Sequence, residues 1–286
     1  MAKLRLSLRL FHLALVIAFG ALLAGVVSLC ERVSRHDLMP LRQRLTRWFL
    51  ARLGGALPFR VTVAGELPAQ PMLWVANHVS WTDIPLLGAL QPISFLSKAE
   101  VRAWPVAGWL AHKAGTLFIR RGSGDSNLIG QQIGRHLQQG HNLLIFPEGT
   151  TTDGLAVRTF HGRLLSSAID SGVALQPVAI RYLRAGQPCP VAPFIGDDDM
   201  LSHLLRLLSS PAGEVEIRLL EPIPSAARSR NELARHSQAI IASALQADLP
   251  LGEAAAGGPP PPRRGGGRSA RRGRTGPAGG WAPRPG

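Results

Sequence analysis

Short apolar stretches alternate with helical patterns from Phe59 onward, and this alternation restricts the possible folds more than any other feature of the chain. Strand-like stretches occupy 60–63, 72–76, 116–119, 142–146, 173–182 and 214–220. Helical patterns occupy 125–139 and 163–170, and a last amphipathic helix begins with Asn231 as its cap and ends near residue 249. Such alternation is typical of a mostly parallel sheet covered by helices. The chain is therefore predicted to be an α/β protein.

Two of these strands end in polar residues that can carry chemistry. Strand 72–76 is followed by Asn77 and His78, with Asp83 five residues after the histidine, and strand 142–146 is followed by Pro147 and Glu148. Ligands of open α/β sheets bind beyond the carboxyl ends of the strands. A histidine takes up a proton near neutral pH, and a carboxylate at its other ring nitrogen fixes its tautomer. His78 and Asp83 are therefore candidates for a general base and its partner.

The spacing of His78 and Asp83 leaves two interpretations open. Residues five apart on a regular helix point about 140° away from each other, so the pair meets only if a turn separates the strand from the next helix. Ser80, Thr82 and Pro85 are compatible with such a turn. In the alternative interpretation, Asp83 caps a helix and His78 is a surface residue of a loop.

The N-terminal part of the chain has the pattern of a membrane attachment. Residues 10–29 are almost uninterruptedly apolar, and a helix of this length spans about 30 Å, the thickness of the hydrocarbon core of a bilayer. A cleaved signal peptide is the alternative, but the stretch is long for one and Cys30 begins a poor cleavage context. Arginines are more frequent after the stretch than before it, which predicts an inner-membrane protein whose catalytic domain faces the cytoplasm.

A second helix is predicted at 41–53, with Leu45, Phe49 and Leu53 on one side and arginines on the others. This amphipathic helix either lies in the membrane interface or packs on the protein core. We therefore expect a membrane anchor and an amphipathic helix at 1–55 and the α/β domain at 56–250. Residues 251–286 consist mainly of Gly, Pro, Ala and Arg, a composition that predicts a disordered tail.

The charge of the chain constrains its partners. The net charge is +14, and the segment 254–286 contributes seven arginines and no acidic residue. A protein that binds nucleic acid through this tail is the alternative from another functional class. The basic residues around the apolar N-terminal stretch favour anionic membrane lipids instead, so nucleic acid is not an expected partner. Cys30 and Cys189 are far apart, and neither a disulfide framework nor a metal site is expected.

Four sequence blocks between residues 72 and 182 occur in a recognisable order. They read N-H-V-S-W-T-D at 77–83, G-T-L-F-I-R-R at 115–121, F-P-E-G-T at 146–150 and V-A-L-Q-P-V-A-I at 173–180. Together they resemble the motifs of the glycerolipid acyltransferases of the lysophosphatidate acyltransferase type, whose first motif is H-x4-D. Each block alone is weak, but the conjunction of all four is specific.

The resemblance implies both a reaction and a set of residue roles. The enzyme would move a fatty acyl chain from acyl-CoA or acyl-carrier protein to the free hydroxyl of a lysolipid. His78 would deprotonate that hydroxyl while Asp83 orients the imidazole. The polar headgroup of the acceptor would be held by Arg121, Glu148, Gly149 and Thr150. The resemblance implies no metal and no bound cofactor, because the acyl thioester is a cosubstrate. A membrane-tethered binding protein without activity is the remaining alternative.

Two departures from the family pattern concern the acceptor. The resemblance gives 1-acylglycerol-3-phosphate, which would yield phosphatidate, as the first expected acceptor. The family commonly has arginine after the third block, where this chain has Thr151, and lysine where it has His161. Both differences remove positive charge from the place where a phosphate would bind. Lyso-ornithine lipid, whose headgroup lacks phosphate, is therefore the second candidate acceptor.

Overall fold

The computed structural model describes residues 2–34, 38–120 and 126–247. Within these residues the helices are α1 Ala2–Val33, α2 Met39–Ala56, α3 Asp83–Gly88, α4 Ala107–Lys113, α5 Ser126–Gln138, α6 Ser166–Ser171, α7 Met200–Ser209 and α8 Arg230–Gln246. The strands are β1 Phe59–Ala64, β2 Leu73–Ala76, β3 Ile93–Lys98, β4 Leu117–Ile119, β5 Asn142–Ile145, β6 Leu175–Arg184, β7 Gln187–Pro188 and β8 Gly213–Leu219. Short 3-10 helices occupy Ala99–Ala103 and Gly162–Leu165. The predicted tail 251–286 and Arg121 lie outside the described residues.

The strands form one sheet with the order β1-β8-β6-β2-β5-β3-β4, and β7 pairs with β6. The neighbours from β6 to β4 all pair in parallel. β8 pairs antiparallel with β6 and parallel with β1, so β1 and β8 run opposite to the other long strands. The predicted α/β fold with a mostly parallel sheet is confirmed.

The sheet is buried because helices cover both of its faces. Successive residues of β2 point to opposite faces of the sheet. Trp74 packs into a core cluster with Leu50 of α2 and Leu87 of α3. Val75 packs into a second cluster with Ile133 of α5 and with side chains of α6 and α8. All residues of β2 are fully buried, which is why this strand reads as a continuous apolar run in the sequence.

Helix α1 has one face packed on the protein and one apolar face exposed. Leu13 is buried against Ala56 at the end of α2 and Leu208 of α7. The guanidinium of Arg9 donates 2.7 Å hydrogen bonds to the carbonyls of Leu208 and Ser210, which satisfies the C-terminal end of α7. The opposite face exposes a stripe at helical spacing that comprises Leu4, Leu8, Phe11, Leu15, Phe19, Leu22, Val26, Leu29 and Val33. The apolar segment Lys3–Val33 is long enough to cross a bilayer, and the exposed stripe indicates association with a membrane.

The predicted amphipathic helix forms as α2. Leu50 is buried, and Phe49 and Leu53 pack against the same core cluster. Leu41 and Trp48 remain exposed. The core-facing interpretation therefore describes the C-terminal half of α2, whereas the side chains of Leu41 and Trp48 remain accessible to a membrane surface.

One predicted helix cap is wrong. The N-cap of α8 is Ser229, whose hydroxyl accepts a hydrogen bond from the backbone N–H of Glu232 while the Glu232 carboxylate accepts one from the backbone N–H of Ser229. Asn231 lies inside the first turn instead. Both Ser and Asn suit the N-cap position, and the reciprocal bond from glutamate at the third helical position selects the serine.

Candidate active site

The two polar strand ends meet at one edge of the sheet. β2 and β5 are neighbours in parallel register, with Val75 opposite Ile145, so the residues that follow them leave the sheet side by side. Beyond the end of β2, the side chain of Asn77 pairs with the backbone of β6. Its amide donates to the carbonyl of Ile180 and accepts from the N–H of Ile180, each at 2.9 Å. This pairing fixes the position of His78 at the carboxyl edge.

His78 and Asp83 form the hydrogen-bonded pair that the sequence predicts as possible. Loop residues 79–82 separate them, and α3 begins at Asp83. Nδ1 of His78 lies 2.7 Å from Oδ2 of Asp83. The same oxygen accepts hydrogen bonds from the backbone N–H groups of Val79 and Ser80, at 2.8 and 3.1 Å. An ionised carboxylate only accepts hydrogen bonds. Nδ1 therefore carries a proton in the neutral ring, and Nε2 presents a lone pair.

The plane of the His78 ring is held by Phe146, the residue that follows β5. The two rings are stacked with their centroids 3.8 Å apart and their planes 11° from parallel. The side chain of His78 is 18% exposed whereas that of Asp83 is 0% exposed. The histidine is therefore accessible to a substrate, and its partner is shielded from water.

Glu148 holds the backbone of His78 in place. One carboxylate oxygen accepts a 2.7 Å hydrogen bond from the N–H of His78, and the other accepts a 2.8 Å bond from the N–H of Arg158. Burial raises the pKa of Glu148, and the bonds from Arg158 and His78 oppose that shift. The predicted headgroup contact stays a prediction, but both oxygens are already engaged by the backbone. In this geometry Glu148 positions the candidate base.

The carbonyl of His78 is held by the same part of the chain. It accepts a 2.8 Å hydrogen bond from the N–H of Thr152 and a 3.2 Å bond from the hydroxyl of Thr152. Gly149 turns the chain between Glu148 and these contacts with a φ of 72°, a conformation that glycine adopts without strain. Thr150 follows in the same turn and is half-buried. Segment 148–152 therefore fixes the amide and the carbonyl of His78 together.

The two positions that depart from the family pattern, Thr151 and His161, have different surroundings. The hydroxyl of Thr151 donates to the carbonyl of Phe194, and the N–H of Phe194 donates to the carbonyl of Val79 at 3.0 Å. Thr151 is therefore part of the internal support of the first block. His161 and Asp153 are exposed. The place where the family commonly has arginine carries a neutral hydroxyl, and an exposed carboxylate follows two residues later.

Two supports of the first block are missing from the sequence-based prediction. The indole N–H of Trp81 donates to Nδ1 of His203 at 3.0 Å, and Nε2 of His203 lies 3.1 Å from the carbonyl of Pro193. The hydroxyl of Tyr182 lies 2.5 Å from Oδ1 of Asp83. Both partners lie about 100 residues or more along the chain from the first block, and only the tertiary fold brings them to it. The predicted strand 173–182 contains Tyr182, but the apolar pattern of that strand does not show which residue faces Asp83.

An apolar cavity of about 510 Å³ lies beside the first block. Its walls come from α1, α2, α3, α4 and α7. Trp81 of the H-x4-D motif lines the cavity, together with Ile84 and Pro85, which follow Asp83. Apolar cavities of this size are typical sites for hydrophobic ligands. The cavity brings such a ligand close to the loop that carries His78.

Comparisons with known proteins agree with this geometry. Residues 59–181 match a family of proteins described as acyltransferases. A lyso-ornithine lipid O-acyltransferase of Pseudomonas aeruginosa is 66% identical over 245 residues, which cover 86% of this chain and 95% of the relative. A 1-acyl-sn-glycerol-3-phosphate acyltransferase of Neisseria gonorrhoeae is 38% identical over 157 residues, which cover 54% of this chain and 62% of the relative.

The fold has a solved counterpart. The crystal structure of the 1-acyl-sn-glycerophosphate acyltransferase PlsC of Thermotoga maritima aligns with a TM-score of 0.61 at 23% identity, over 86% of this chain and 96% of that one. The chain therefore belongs to the acyltransferase family. The resemblance predicted from the four blocks is confirmed, and so is the predicted enzyme class, an acyltransferase similar to the lysolipid O-acyltransferases.

Proposed function

We propose that the protein transfers a fatty acyl chain from acyl-CoA or acyl-carrier protein to the hydroxyl of lyso-ornithine lipid at a membrane surface. The observation that carries this proposal is the His78–Asp83 pair. The 2.7 Å bond to a fully buried carboxylate leaves Nε2 of His78 as the accessible base. A base of this kind, placed at the carboxyl edge of an α/β sheet, fits the deprotonation of an acceptor hydroxyl.

The proposed reaction is a direct transfer. Nε2 of His78 takes the proton of the acceptor hydroxyl as its oxygen attacks the thioester carbonyl. The buried charge of Asp83 stabilises the imidazolium that forms. The tetrahedral intermediate then collapses, the carbon–sulfur bond breaks, and the thiolate takes the proton from His78. The ester and the free thiol are the products, and the chemistry requires no resident cofactor.

The choice of acceptor depends on the residues that follow Glu148. Thr151 uses its hydroxyl within the protein, and exposed Asp153 brings negative charge to the loop that contacts His78. An ornithine headgroup carries an ammonium group, which an exposed carboxylate attracts, whereas a phosphate is repelled by it. The name of the 66% identical relative supports the same acceptor. We propose Asp153 as a contact of the ornithine ammonium.

A second acceptor, 1-acylglycerol-3-phosphate, is favoured by a different feature. β4 is followed by Arg120 and Arg121 in the second block, and arginine binds phosphate oxygens in a bidentate manner. Arg121 would serve an ornithine carboxylate equally well by the same geometry. Gly149 and Thr150, next to the base, are proposed as further headgroup contacts.

The membrane supplies the lysolipid acceptor in this proposal. The exposed stripe of α1 would face lipid hydrocarbon, and the cavity beside Trp81 would take an acyl chain. The predominance of arginine after residue 30 supports an active site on the cytoplasmic side, and the inner membrane is the proposed location.

The test is acyl transfer from a labelled acyl thioester by the purified full chain in detergent micelles. Lyso-ornithine lipid and 1-acylglycerol-3-phosphate are offered in separate and in mixed reactions. We expect acylation of the ornithine lipid, with Asp153→Asn raising the KM for this acceptor and the exposed-acid control Glu66→Gln leaving it unchanged. Acylation of 1-acylglycerol-3-phosphate alone would refute the proposed acceptor, and transfer to neither lipid would refute the proposed function.

A further inference from the structure

Tyr182 is a buried tyrosine that reaches the candidate active site from β6. It is the only tyrosine in the sequence and is 5% exposed. Its ring packs edge-on against Phe59 of β1 with the ring centroids 5.1 Å apart. Its hydroxyl lies 2.5 Å from Oδ1 of Asp83 and 2.8 Å from the hydroxyl of Thr82. The phenol is therefore in direct contact with the partner of the proposed base.

The chemistry of the groups fixes the direction of these hydrogen bonds. A carboxylate only accepts, so the single proton of the phenol is donated to Oδ1 of Asp83. The hydroxyl of Thr82 must then donate to the oxygen of Tyr182. Asp83 accepts from Tyr182 on one oxygen and from His78, Val79 and Ser80 on the other. A chain of donors thus runs from Thr82 through Tyr182 to Asp83.

Burial makes the bond from Tyr182 more important than it would be in water. Asp83 is 0% exposed, and a buried charge is costly unless donors surround it. Within the part of the chain that the structure describes, Tyr182 is the donor to Oδ1. Without this bond, the free energy of the buried carboxylate falls if it rotates toward another donor or takes up a proton. A neutral or rotated Asp83 no longer stabilises the imidazolium that acyl transfer requires.

We propose that Tyr182 is a positioning residue for acyl transfer, one that keeps Asp83 charged and aimed at His78. The proposal deepens the proposed function and rests on it, because Tyr182 acts through the His78–Asp83 pair and touches no substrate. Burial raises the pKa of Tyr182 well above its ordinary value, and the negative charge of Asp83 adds to the shift. The phenol therefore keeps its proton throughout the pH range in which a histidine base works.

Other titratable side chains interact with this network. Glu148 interacts with the charges of both His78 and Asp83, and Cys189 interacts with Tyr182. A change at Tyr182 is expected to act through the orientation of Asp83, and therefore to appear in kcat rather than in the acceptor KM.

The kinetic test compares Tyr182→Phe with the wild-type full chain. Loss of the donor lets Asp83 turn away from His78, and a misplacement of about 1 Å costs on the order of 100-fold in rate, so kcat is expected to fall about 10- to 100-fold with little change in the acceptor KM. Phe59→Leu is the matched control, since it alters the packing of the Tyr182 ring and keeps the hydroxyl. An unchanged kcat in Tyr182→Phe, a rise in the acceptor KM in place of the fall in kcat, or the same changes in Phe59→Leu would overturn the proposal.

A second measurement does not depend on turnover. Because the chain has one tyrosine, growth on 3-fluorotyrosine labels Tyr182 alone and gives one fluorine resonance. Asp83→Asn replaces the charged acceptor of the phenol with a neutral one, and we expect this resonance to shift. An unchanged resonance would overturn the proposal even if Tyr182→Phe failed to fold. If the wild type transferred no acyl chain to any lysolipid, the proposed function would fail, and the fluorine spectrum would still test the contact.

Discussion

Replacing Glu148, a buried glutamate that follows β5, distinguishes between two possible roles of its carboxylate. As a headgroup ligand, the role implied by the family resemblance, Glu148 would mainly affect the binding of the acceptor. As the structure places it, the carboxylate supports the N–H groups of His78 and Arg158 at 2.7 and 2.8 Å. Glu148→Gln retains one acceptor oxygen and turns an amide NH₂ toward one of the two donors. Glu148→Ala removes both acceptors.

The size of the effect follows from these two bonds. A buried N–H that loses its partner costs about 1–3 kcal/mol. We expect Glu148→Gln to lower the free energy of unfolding by about that amount and Glu148→Ala by about twice as much. In a protein of this size the first loss lowers Tm by roughly 2 to 6 °C. The backbone of His78 also moves, and a misplacement of about 1 Å costs on the order of 100-fold in rate.

The assay combines thermal unfolding, followed by tryptophan fluorescence, with acyl transfer at varied acceptor concentration. The expected result for Glu148→Gln is a lower Tm and a kcat reduced about 10- to 100-fold, with the acceptor KM nearly unchanged. Glu221→Gln serves as the control because Glu221 is an exposed glutamate, and such substitutions usually change stability by less than about 0.5 kcal/mol. An unchanged Tm together with a large rise in the acceptor KM would refute the positioning role of Glu148.

Two further predictions concern the membrane face and the response to pH. Replacing Phe11 and Leu15 of the exposed α1 stripe by Asp should reduce co-flotation with anionic vesicles, since each carboxylate costs about 2.5–3.5 kcal/mol in hydrocarbon. Leu128→Asp is the control, because Leu128 lies on the exposed surface of α5. Equal flotation of all variants would contradict a lipid-facing stripe. Burial, with a smaller contribution from His141, lowers the pKa of His136 from 6.5 to about 4. The unfolded chain therefore binds a proton at this site between pH 6.5 and 4 that the folded protein excludes, and stability falls as the pH falls through this range, by about 3 kcal/mol at most from this residue. His136→Leu should flatten the pH dependence of Tm over that range, and an unchanged slope would contradict this assignment.

Much of the fold can be predicted because its central strands have a local signature. β2 and β5 are buried on both faces and read as apolar runs, and the predicted 142–146 differs from Asn142–Ile145 by one residue. β3, by contrast, escapes prediction. Its sequence ISFLSK mixes apolar and polar residues without the continuous run of β2. The opposite direction of β1 and β8 also escapes, because it depends on pairing between strands about 150 residues apart rather than on local pattern.

The candidate site likewise has one part that the sequence predicts and one part that it does not. The spacing of His78 and Asp83 suggests a pair, and the loop before α3 brings the two side chains within hydrogen-bonding distance. The partners that fix this pair come from other elements. Tyr182 faces Asp83 only because β6 lies beside β2 in a particular register, and Trp81 meets His203 only because α7 packs nearby. These contacts depend on tertiary packing, which the sequence motif does not contain.

The most direct test of the account is the initial rate of acyl transfer from a labelled thioester by His78→Ala, measured beside wild type and His236→Ala at saturating substrates. His236 is an exposed histidine of α8 and controls for the loss of an imidazole. General-base catalysis contributes about 10² to 10⁴ in rate, and a loss of that size is expected for His78→Ala alone. A folded His78→Ala protein that retained activity within about tenfold of wild type would contradict the assignment of His78 as the base.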